Sequence, residues 1–263
     1  MGDRYNISLT PGSNLRTDAL IQLAEERKNL DSLRNDLNVS SPTASHALRE
    51  LDEEKLIYQD SERNYMLTNI GEIVARGLID FNDTMETLYT FESFWLDHDL
   101  SAIPDDLLDR IGWLKDSSII SGTPINVLQA YTTIIGLLKE SKKVHVVSSI
   151  LIPNIEFIHD MFTGLSDMHF ILTEDVLDPS IENIGREWLG KLPENYFKLY
   201  VIRQNPKLGF FTVTDRFVAL VLYRLDETFD LHSNLMSYSK KAIDWGLALF
   251  NHYAEIAESV DLS

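Results

Sequence analysis

The stretch that most constrains the fold is SSPTASHALRELDEEKL, residues 40–56, because it carries a strong helix-start signal. Ser41 is placed to accept backbone N–H groups of the first turn, and Pro42 suits the first helical position, where no N–H is needed. Two shorter apolar-periodic segments precede it, beginning at Thr17 and after Asp31. Two extended runs, IYQD and YMLT, follow it and are joined by SERN. Three helices and a hairpin in this order predict a winged helix-turn-helix over residues 17–67.

The third helix of this motif has two different faces. At about 100° per residue, Ala44, Leu48 and Leu51 fall on one side, while Pro42, Ser45, His46 and Arg49 fall on the other. Short polar side chains can enter a major groove and hydrogen-bond to bases or phosphates of duplex DNA. The candidate DNA-binding residues are Ser41, Thr43, Ser45, His46 and Arg49 on the helix, with Arg63 and Asn64 on the wing. The alternative is an ordinary surface helix.

The charge of the chain opposes this interpretation. The formal net charge is −18, and residues 1–66 hold 8 basic and 12 acidic side chains. Nonspecific DNA affinity depends on Lys and Arg neutralising phosphates, so we expect weak binding outside a specific site. Glu50, Glu53 and Glu62 lie near the predicted DNA-binding face. A protein-interaction adaptor with a degenerate, non-DNA-binding winged helix therefore stays open as the alternative function.

Composition limits the remaining classes. The chain has no cysteine, which excludes disulfides, thiolate zinc sites and cysteine nucleophiles. No segment approaches the length of a membrane span, and the first residues contain no apolar run, so a cytoplasmic protein without a membrane partner is expected. We expect a mixed α+β and α/β chain with a winged helix-turn-helix over residues 1–68, connecting and dimerisation helices over 69–120, and an α/β sensor domain over 121–263.

A long helix is predicted from Asn69 to about Leu96. Its apolar residues recur three or four positions apart with one longer step, and they include Phe81, Met85 and Leu88. A stripe this wide needs a partner, either the same helix of a second subunit or the body of the C-terminal domain. Because paired DNA half-sites require a two-fold dimer, we expect a homodimer with these three residues at the contact.

From Val127 onward, predicted helices over 127–139, 154–165, 181–189 and 240–259 alternate with apolar strands, which indicates an α/β sheet covered by helices. The strands are VHVVSSI, MHFILT, FKLYVI, GFFTVT and FVALVLYR, and the last two are close enough to form a hairpin. Ligands of such sheets bind outside the strand ends. The polar residues there are the candidate ligand-binding residues, namely Ser148, Ser149, Thr173, Arg203, Thr214, Asp215 and Arg216. Arg203 and Arg216 would suit an anionic effector. The alternative is a hairpin turn with a local salt bridge.

The sequence predicts no enzyme, no cofactor and no metal site. Phospholipase-D chemistry needs a His with a Lys two residues later, but His145 is followed by Val147 and His169 by Ile171. The histidines are scattered, without the i, i+4 spacing of a helical ligand pair. The triplet Asp97, His98 and Asp99 could ligate a metal, but it is interpreted as capping the end of the long helix and starting the turn before Pro104.

Several stretches resemble one known family. They are FWLDHDLSAIPDDLLDRIGWLKDS at 94–117, ILTEDVL at 171–177, FTVTDRFVAL at 211–220 and AIDWGLALFNHY at 242–253. The chain resembles the archaeal winged-helix transcription regulators of the methanogenesis-regulator, or filament-regulator, family. The resemblance implies a DNA-binding regulator whose C-terminal sensor domain is similar to the phospholipase-D-like domains of other archaeal regulators.

Overall fold

The computed structural model describes residues 15–122, 129–151, 166–193, 195–230 and 233–262. The chain divides into two compact units, Met1–Glu86 and Thr87–Ser263. In the described part of the chain, no helix combines the length and the apolar composition that crossing a bilayer requires.

The N-terminal unit contains three helices and a small antiparallel sheet, which together form a winged helix-turn-helix. The helices are α1 (Leu15–Glu25), α2 (Leu30–Asp36) and α3 (Ser41–Glu53), and the strands are β1 (Lys28–Asn29), β2 (Ile57–Gln59) and β3 (Asn64–Leu67). The strand order is β1-β3-β2, and the β2–β3 hairpin is the wing. Apolar side chains from all three helices and from the wing form one core, including Leu20, Leu33, Leu48, Leu51 and Ile57.

The first turn of α3 differs by one residue from the prediction. Ser40, rather than Ser41, is the N-cap: its backbone is extended, and its Oγ accepts the N–H of Thr43 at 3.4 Å. Ser41 is the first helical residue, and Pro42 still lies in the first turn, where its missing N–H costs nothing. Two adjacent serines offer the same capping chemistry, and sequence alone did not distinguish them.

The long helix predicted over residues 69–96 is interrupted. It forms α4 (Asn69–Thr90) and α5 (Glu92–Asp97), separated by Phe91, whose φ of −115° and ψ of 30° are not helical. The connecting segment predicted for residues 69–120 is divided between the two units, because Leu78 packs in the N-terminal core whereas Phe91 and Trp95 pack in the C-terminal one. A short helix, α6 (Asp105–Leu108), follows between two 3₁₀ turns.

The C-terminal unit is built on a mixed sheet of eight described strands. They are β4 (Ser117–Ser121), β5 (Lys143–Ser148), β6 (Asp167–Thr173), β7 (Phe197–Ile202), β8 (Leu208–Thr214), β9 (Val218–Leu222), β10 (Ser233–Ser237) and β11 (Glu258–Ser259). Their order is β11-β7-β6-β5-β8-β9-β10-β4. The central strands β5, β6 and β7 are parallel, and β8 and β9 form the expected antiparallel hairpin. β4, β10 and β11 were not predicted.

Helices cover the two faces of this sheet and contribute to two separate apolar cores. They are α7 (Gln129–Leu138), α8 (Glu174–Ile184), α9 (Arg186–Leu189) and α10 (Lys240–Ile256). Trp245 and Phe250 of α10 pack with Val147 and Ile171 on one face of the sheet, while Val146 and Phe170 join α7 and α8 in a second core on the other face. The helix predicted over 181–189 begins earlier and breaks at Gly185, which has a φ of +100°. The helix predicted over 154–165 lies outside the described residues.

Candidate nucleic-acid interface and C-terminal sites

The polar face of α3 is exposed, as the sequence predicts. Thr43, Ser45, His46 and Arg49 are exposed and Ser41 is half-buried. On the opposite side, Ala44, Leu48 and Leu51 are almost fully buried, which fixes the helix to the core of the unit. The helix therefore presents hydroxyl, imidazole and guanidinium groups from one rigid element.

His46 and Arg49 on α3 each have an acidic neighbour one turn later. His46 Nδ1 lies 3.5 Å from Glu50 Oε2, and Arg49 Nε lies 3.7 Å from Glu53 Oε1. Exposed i, i+4 pairs of this kind contribute only about 0.3–0.5 kcal/mol. Because the pairs are weak, a phosphate or a base edge can replace the carboxylates without a large loss.

The wing turn is held by Asp60. Its Oδ1 accepts the backbone N–H groups of Glu62 and Asn64, each at 2.8 Å, and the bond from Asn64 is the main reason why the pKa of Asp60 lies below its usual value. The Asn64 side chain also donates to Asp60, at 3.4 Å, so it is already used within the turn. Arg63 is exposed with a φ of +66°, and in the described part of the chain no ion pair holds its guanidinium.

Arg27 is a further basic residue beside the wing that sequence reasoning missed. Its Nη1 lies 3.7 Å from Asp60 Oδ2 and 3.8 Å from Glu62 Oε2, and its side chain is largely exposed. Arg27 follows α1 and is far from the wing in the sequence, and only the fold brings the two together. Arg27 and Arg63 are thus two exposed guanidinium groups on the wing side of the unit.

The apolar stripe of α4 is only partly covered. Phe81 and Met85 are half-buried, and Leu88 is exposed. Ile70 and Ile73, in the first turns of the same helix and outside the predicted stripe, are 55% and 73% exposed. At about 100° per residue, Ile70, Phe81 and Leu88 project within about 20° of one another. Leu78 and Trp95, toward the two ends of the predicted stripe, are buried in the N-terminal and C-terminal cores. The three predicted contact residues between them remain at least partly accessible to solvent.

The seven predicted ligand-binding residues do not converge on one place. Ser148, Ser149, Thr173 and Arg203 follow or end the parallel strands β5, β6 and β7. Thr214, Asp215 and Arg216 lie at the opposite end of the sheet, because β8 runs antiparallel to β5 and pairs Thr214 with Val144. The expectation of a single crevice is therefore corrected by the strand direction.

The second group forms a turn, which is the alternative that the sequence left open. Asp215 Oδ1 accepts the N–H groups of Lys142 and Lys143 at 2.9 and 3.1 Å. Thr214 Oγ1 accepts from the backbone of Arg216 at 3.0 Å, and the Arg216 guanidinium pairs with Glu140 at 2.8 Å. These contacts join the β8–β9 hairpin to the start of β5.

The first group is also occupied by contacts within the chain. Arg203 lies 3.0 Å from Glu258 and 3.8 Å from Glu174. Ser149 donates to Leu208 O at 2.7 Å. A small apolar cavity of about 40 Å³ lies under α7 and α8, lined by residues such as Val146, Phe170 and Leu199. None of the seven predicted ligand-binding residues lines this cavity.

The triplet Asp97, His98 and Asp99 has structural roles. Asp99 caps the next turn by accepting the N–H of Ser101 at 2.9 Å, and it pairs with Lys207 at 2.7 Å. The bond from Lys207 lowers the pKa of Asp99 to about 2. Asp99 thus starts the turn before Pro104, as expected, but it does not cap the end of the preceding helix, whose C-cap residue is His98.

His98 belongs to a buried network in the C-terminal unit. Its Nδ1 is 2.7 Å from Phe94 O, and its Nε2 is 3.1 Å from Asp230 Oδ2. Arg224 also donates to Asp230 Oδ2 at 3.1 Å, and the Asp230 side chain is fully buried. The network joins the end of α5 to the segment that follows β9.

Comparison with solved structures gives distant likenesses. One is to TrmBL2, an archaeal chromatin protein described as showing a novel mode of DNA binding, with a TM-score of 0.44, 16% identity and coverage of 94% of this chain and 95% of that one. Another is to Nuc of Salmonella typhimurium, a phospholipase D family member, with a TM-score of 0.40, 10% identity and coverage of 55% and 98%. Both scores are low.

Comparison of sequences is more informative. The chain is 29% identical over 266 residues to the methanogenesis regulatory protein FilR1 of Methanothrix harundinacea, and the match covers 97% of this chain. The chain spans 58% of the length of that relative. The HVO_A0261 N-terminal domain model matches residues 4–88, and the model for the middle domain of methanogenesis regulatory protein FilR1 matches residues 127–256. The chain is therefore similar to the methanogenesis regulatory protein FilR1 in sequence, and its C-terminal part matches the middle-domain model of that protein.

Proposed function

We propose that the chain is a DNA-binding transcription regulator that acts as a homodimer and has no catalytic role. The observation that carries the proposal is the exposed polar face of α3 beside a wing that presents Arg63. The sequence similarity supports it, since the relative is named as a regulatory protein. Double-stranded DNA is the proposed partner.

In the proposed complex, α3 lies in the major groove and the wing contacts the flanking backbone. Thr43, Ser45 and His46 have donors for base edges or phosphates, and Arg49 can bind a guanine or a phosphate through two N–H groups. The acidic charge of the domain keeps nonspecific affinity low. Specificity must then come from the few groups on α3.

The dimer is proposed to form through the apolar stripe of α4. Phe81, Met85 and Leu88 occupy its C-terminal half, and Ile70 and Ile73 extend it toward the N-terminus of the helix. An exposed apolar strip along a helix of 22 residues suits the same strip of a second copy. Two copies would place two α3 helices on the half-sites of an inverted repeat.

We place the response to an effector, a small molecule or a protein partner, in the C-terminal unit. Ser148, Ser149, Thr173 and Arg203 are the candidates that share one end of the sheet. Arg203 could exchange Glu258 for an anionic ligand, since their exposed ion pair is weak. Thr214, Asp215 and Arg216 are better explained by the turn that they form.

Selection of genomic fragments by the purified protein tests the DNA proposal. We expect a recurring inverted repeat, and Arg49→Ala should weaken binding to it by about 1–3 kcal/mol. Arg49→Lys separates two roles: it retains affinity if Arg49 binds a phosphate, but loses sequence preference if Arg49 binds a base through two N–H groups. Arg186→Ala, an exposed arginine of the C-terminal unit, removes the same charge elsewhere and is the control.

The dimer is tested by light scattering of Ile73→Lys, because Ile73 is the most exposed residue of the stripe and its substitution disturbs the monomer least. We expect dimeric wild type, a monomeric variant and loss of operator affinity. Glu86→Lys installs the same side chain outside the stripe and should stay dimeric. Wild-type protein of monomer mass at micromolar concentration would exclude this interface.

The pairing of His46 with Glu50 and of Arg49 with Glu53 favours a second candidate, a protein-interaction adaptor whose winged helix no longer binds DNA. In that case α3 would be neutralised by its own carboxylates. The selection of genomic fragments separates the two functions. If the protein is an adaptor, the recovered fragments share no common sequence, and Arg49→Ala does not change which fragments are recovered.

A further inference from the structure

Two histidines and an aspartate meet on adjacent parallel strands of the C-terminal unit. β5 and β6 pair in a register that sets His145 beside His169 and Lys143 beside Asp167. Since Asp167 and His169 are two residues apart on β6, their side chains share the face of the sheet on which His145 also lies. These histidines are 24 residues apart in the sequence and lack the spacing of a helical ligand pair, and parallel strand pairing brings them together.

The geometry of the cluster suits ligands of one ion. Asp167 Oδ2 lies 3.4 Å from His145 Nε2, and Asp167 Oδ1 lies 3.2 Å from His169 Nε2. Tetrahedral bonds of about 2.0–2.1 Å to zinc place neighbouring ligand atoms about 3.3 Å apart. One ligand atom from each of the three residues lies within 4.8 Å of the other two.

The two imidazoles must turn slightly toward each other to share an ion. Their rings are stacked with centroids 4.8 Å apart at an interplanar angle of 16°. Nδ1 of His145 is buried and has no hydrogen-bond partner among the described residues, so the ring is not tethered at its second nitrogen. Phe250 of α10 lies against both rings, with centroids 4.7 and 6.2 Å away, and limits the movement to small rotations.

The surroundings leave the site reachable from solvent. The side chains of His145, Asp167 and His169 are 14%, 29% and 21% exposed. Burial lowers the pKa of both histidines, so that neutral imidazoles with free lone pairs are present at neutral pH. Lys143 and Lys198 lie nearby and oppose a cation, but both are exposed and solvent screens their charge.

We propose that His145, Asp167 and His169 bind a divalent transition-metal ion of the zinc class. Two imidazoles and one carboxylate are ligands for such ions, whereas magnesium and calcium prefer oxygen ligands alone. The bound ion joins β5 and β6 under α10, and three protein ligands leave further coordination positions for water or another ligand. This site does not depend on DNA binding.

The test is titration of the full, tag-free chain with Zn²⁺, and with Co²⁺ because its visible absorption reports imidazole and carboxylate coordination. We expect saturable binding of one ion per chain, and His145→Gln and His169→Gln should each weaken it at least about tenfold. His252→Gln removes an exposed histidine of α10 outside the cluster and should bind as wild type does. Mg²⁺ should not compete.

Thermal unfolding without metal establishes that each variant is folded. Asp167→Asn keeps the volume of the side chain but removes its negative charge, so it should also weaken metal binding. It replaces a histidine variant in the test if that variant fails to fold. Zn²⁺ should raise the unfolding temperature of wild type and of His252→Gln but not of the cluster variants. Absence of saturable binding, or binding that survives the histidine and aspartate substitutions, would overturn the proposal.

Discussion

The two units place their candidate functional groups in opposite ways. In the N-terminal unit, Ser41 to Arg49 lie on a single helix, and the distance between them in space follows from their distance in sequence. In the C-terminal unit, His145 and His169 become neighbours only through strand pairing, and β4 pairs with β10 from the far end of the unit. A site on one helix is visible as a pattern in the sequence. A site across strands becomes visible only when the register is known.

In the C-terminal unit, we expect the largest loss of folding stability from substitution of Asp230, the centre of the buried network. Asp230→Ala leaves His98 and Arg224 without the carboxylate that both contact, which should cost about 3–5 kcal/mol. Tryptophan fluorescence during urea unfolding measures this unit selectively, since the four tryptophans, Trp95, Trp113, Trp188 and Trp245, all belong to it.

Asp226→Ala is the control for this substitution, because Asp226 caps an exposed turn through Thr228 in the same region. Its effect should stay below about 1 kcal/mol. If the two substitutions cost the same, the contact between distant segments is not what stabilises this unit.

Two glycines of α4 sharpen the comparison on the N-terminal side. A Cβ on Gly71 would lie 1.9 Å from the carbonyl oxygen of Leu56, a backbone atom that cannot turn aside. Gly71→Ala should therefore destabilise the unit by about 1–3 kcal/mol. A Cβ on Gly77, on the same helix, meets nothing within 4 Å, and Gly77→Ala should stabilise it by up to about 1 kcal/mol. Amide hydrogen exchange of residues 15–86 measures the stability of the unit in both variants. Equal changes in stability would contradict the close approach of Gly71 to the Leu56 carbonyl oxygen.

The ion pair between Asp99 and Lys207 gives the smallest effect. Because its folded-state pKa is lowered from 3.8 to about 2, Asp99 stabilises the fold above pH 4 and loses this contribution as the pH falls toward 2. Asp99→Asn should cost about 1–2 kcal/mol at pH 6, reduced by partial exposure of the pair, and almost nothing at pH 2. A difference from wild type that stays constant between pH 6 and pH 2 would contradict this role.

Sequence patterns predicted the elements whose signals are local. The polar face of α3 and the strands β5 to β9 follow from periodicity and apolar runs over a few residues. The break at Phe91 was not predicted, because the apolar spacing typical of a helix continues through it. The break accompanies burial of the Phe91 ring in the C-terminal core, which the spacing does not reveal. β4 and β10 were missed because their short runs, SSIIS and SNLMS, carry little strand signal of their own, and pairing with distant strands makes them part of the sheet. β11, Glu258–Ser259, was missed for the same reason, since it is defined by its antiparallel pairing with β7.

The pairing of β4 with β10 has a consequence during synthesis. Residues up to Glu86 contain the whole winged helix, so this unit can fold as soon as they have left the ribosome. The eight-stranded sheet cannot be completed until β10, which ends at Ser237, has been synthesised, and α10 is synthesised later still. At about 5–20 residues per second, the roughly 116 residues from the end of β4 to the end of β10 take about 6–23 s. Throughout that interval β4 has no β10 to pair with, and its exposed backbone is open to chaperones or to the same strand of another nascent chain.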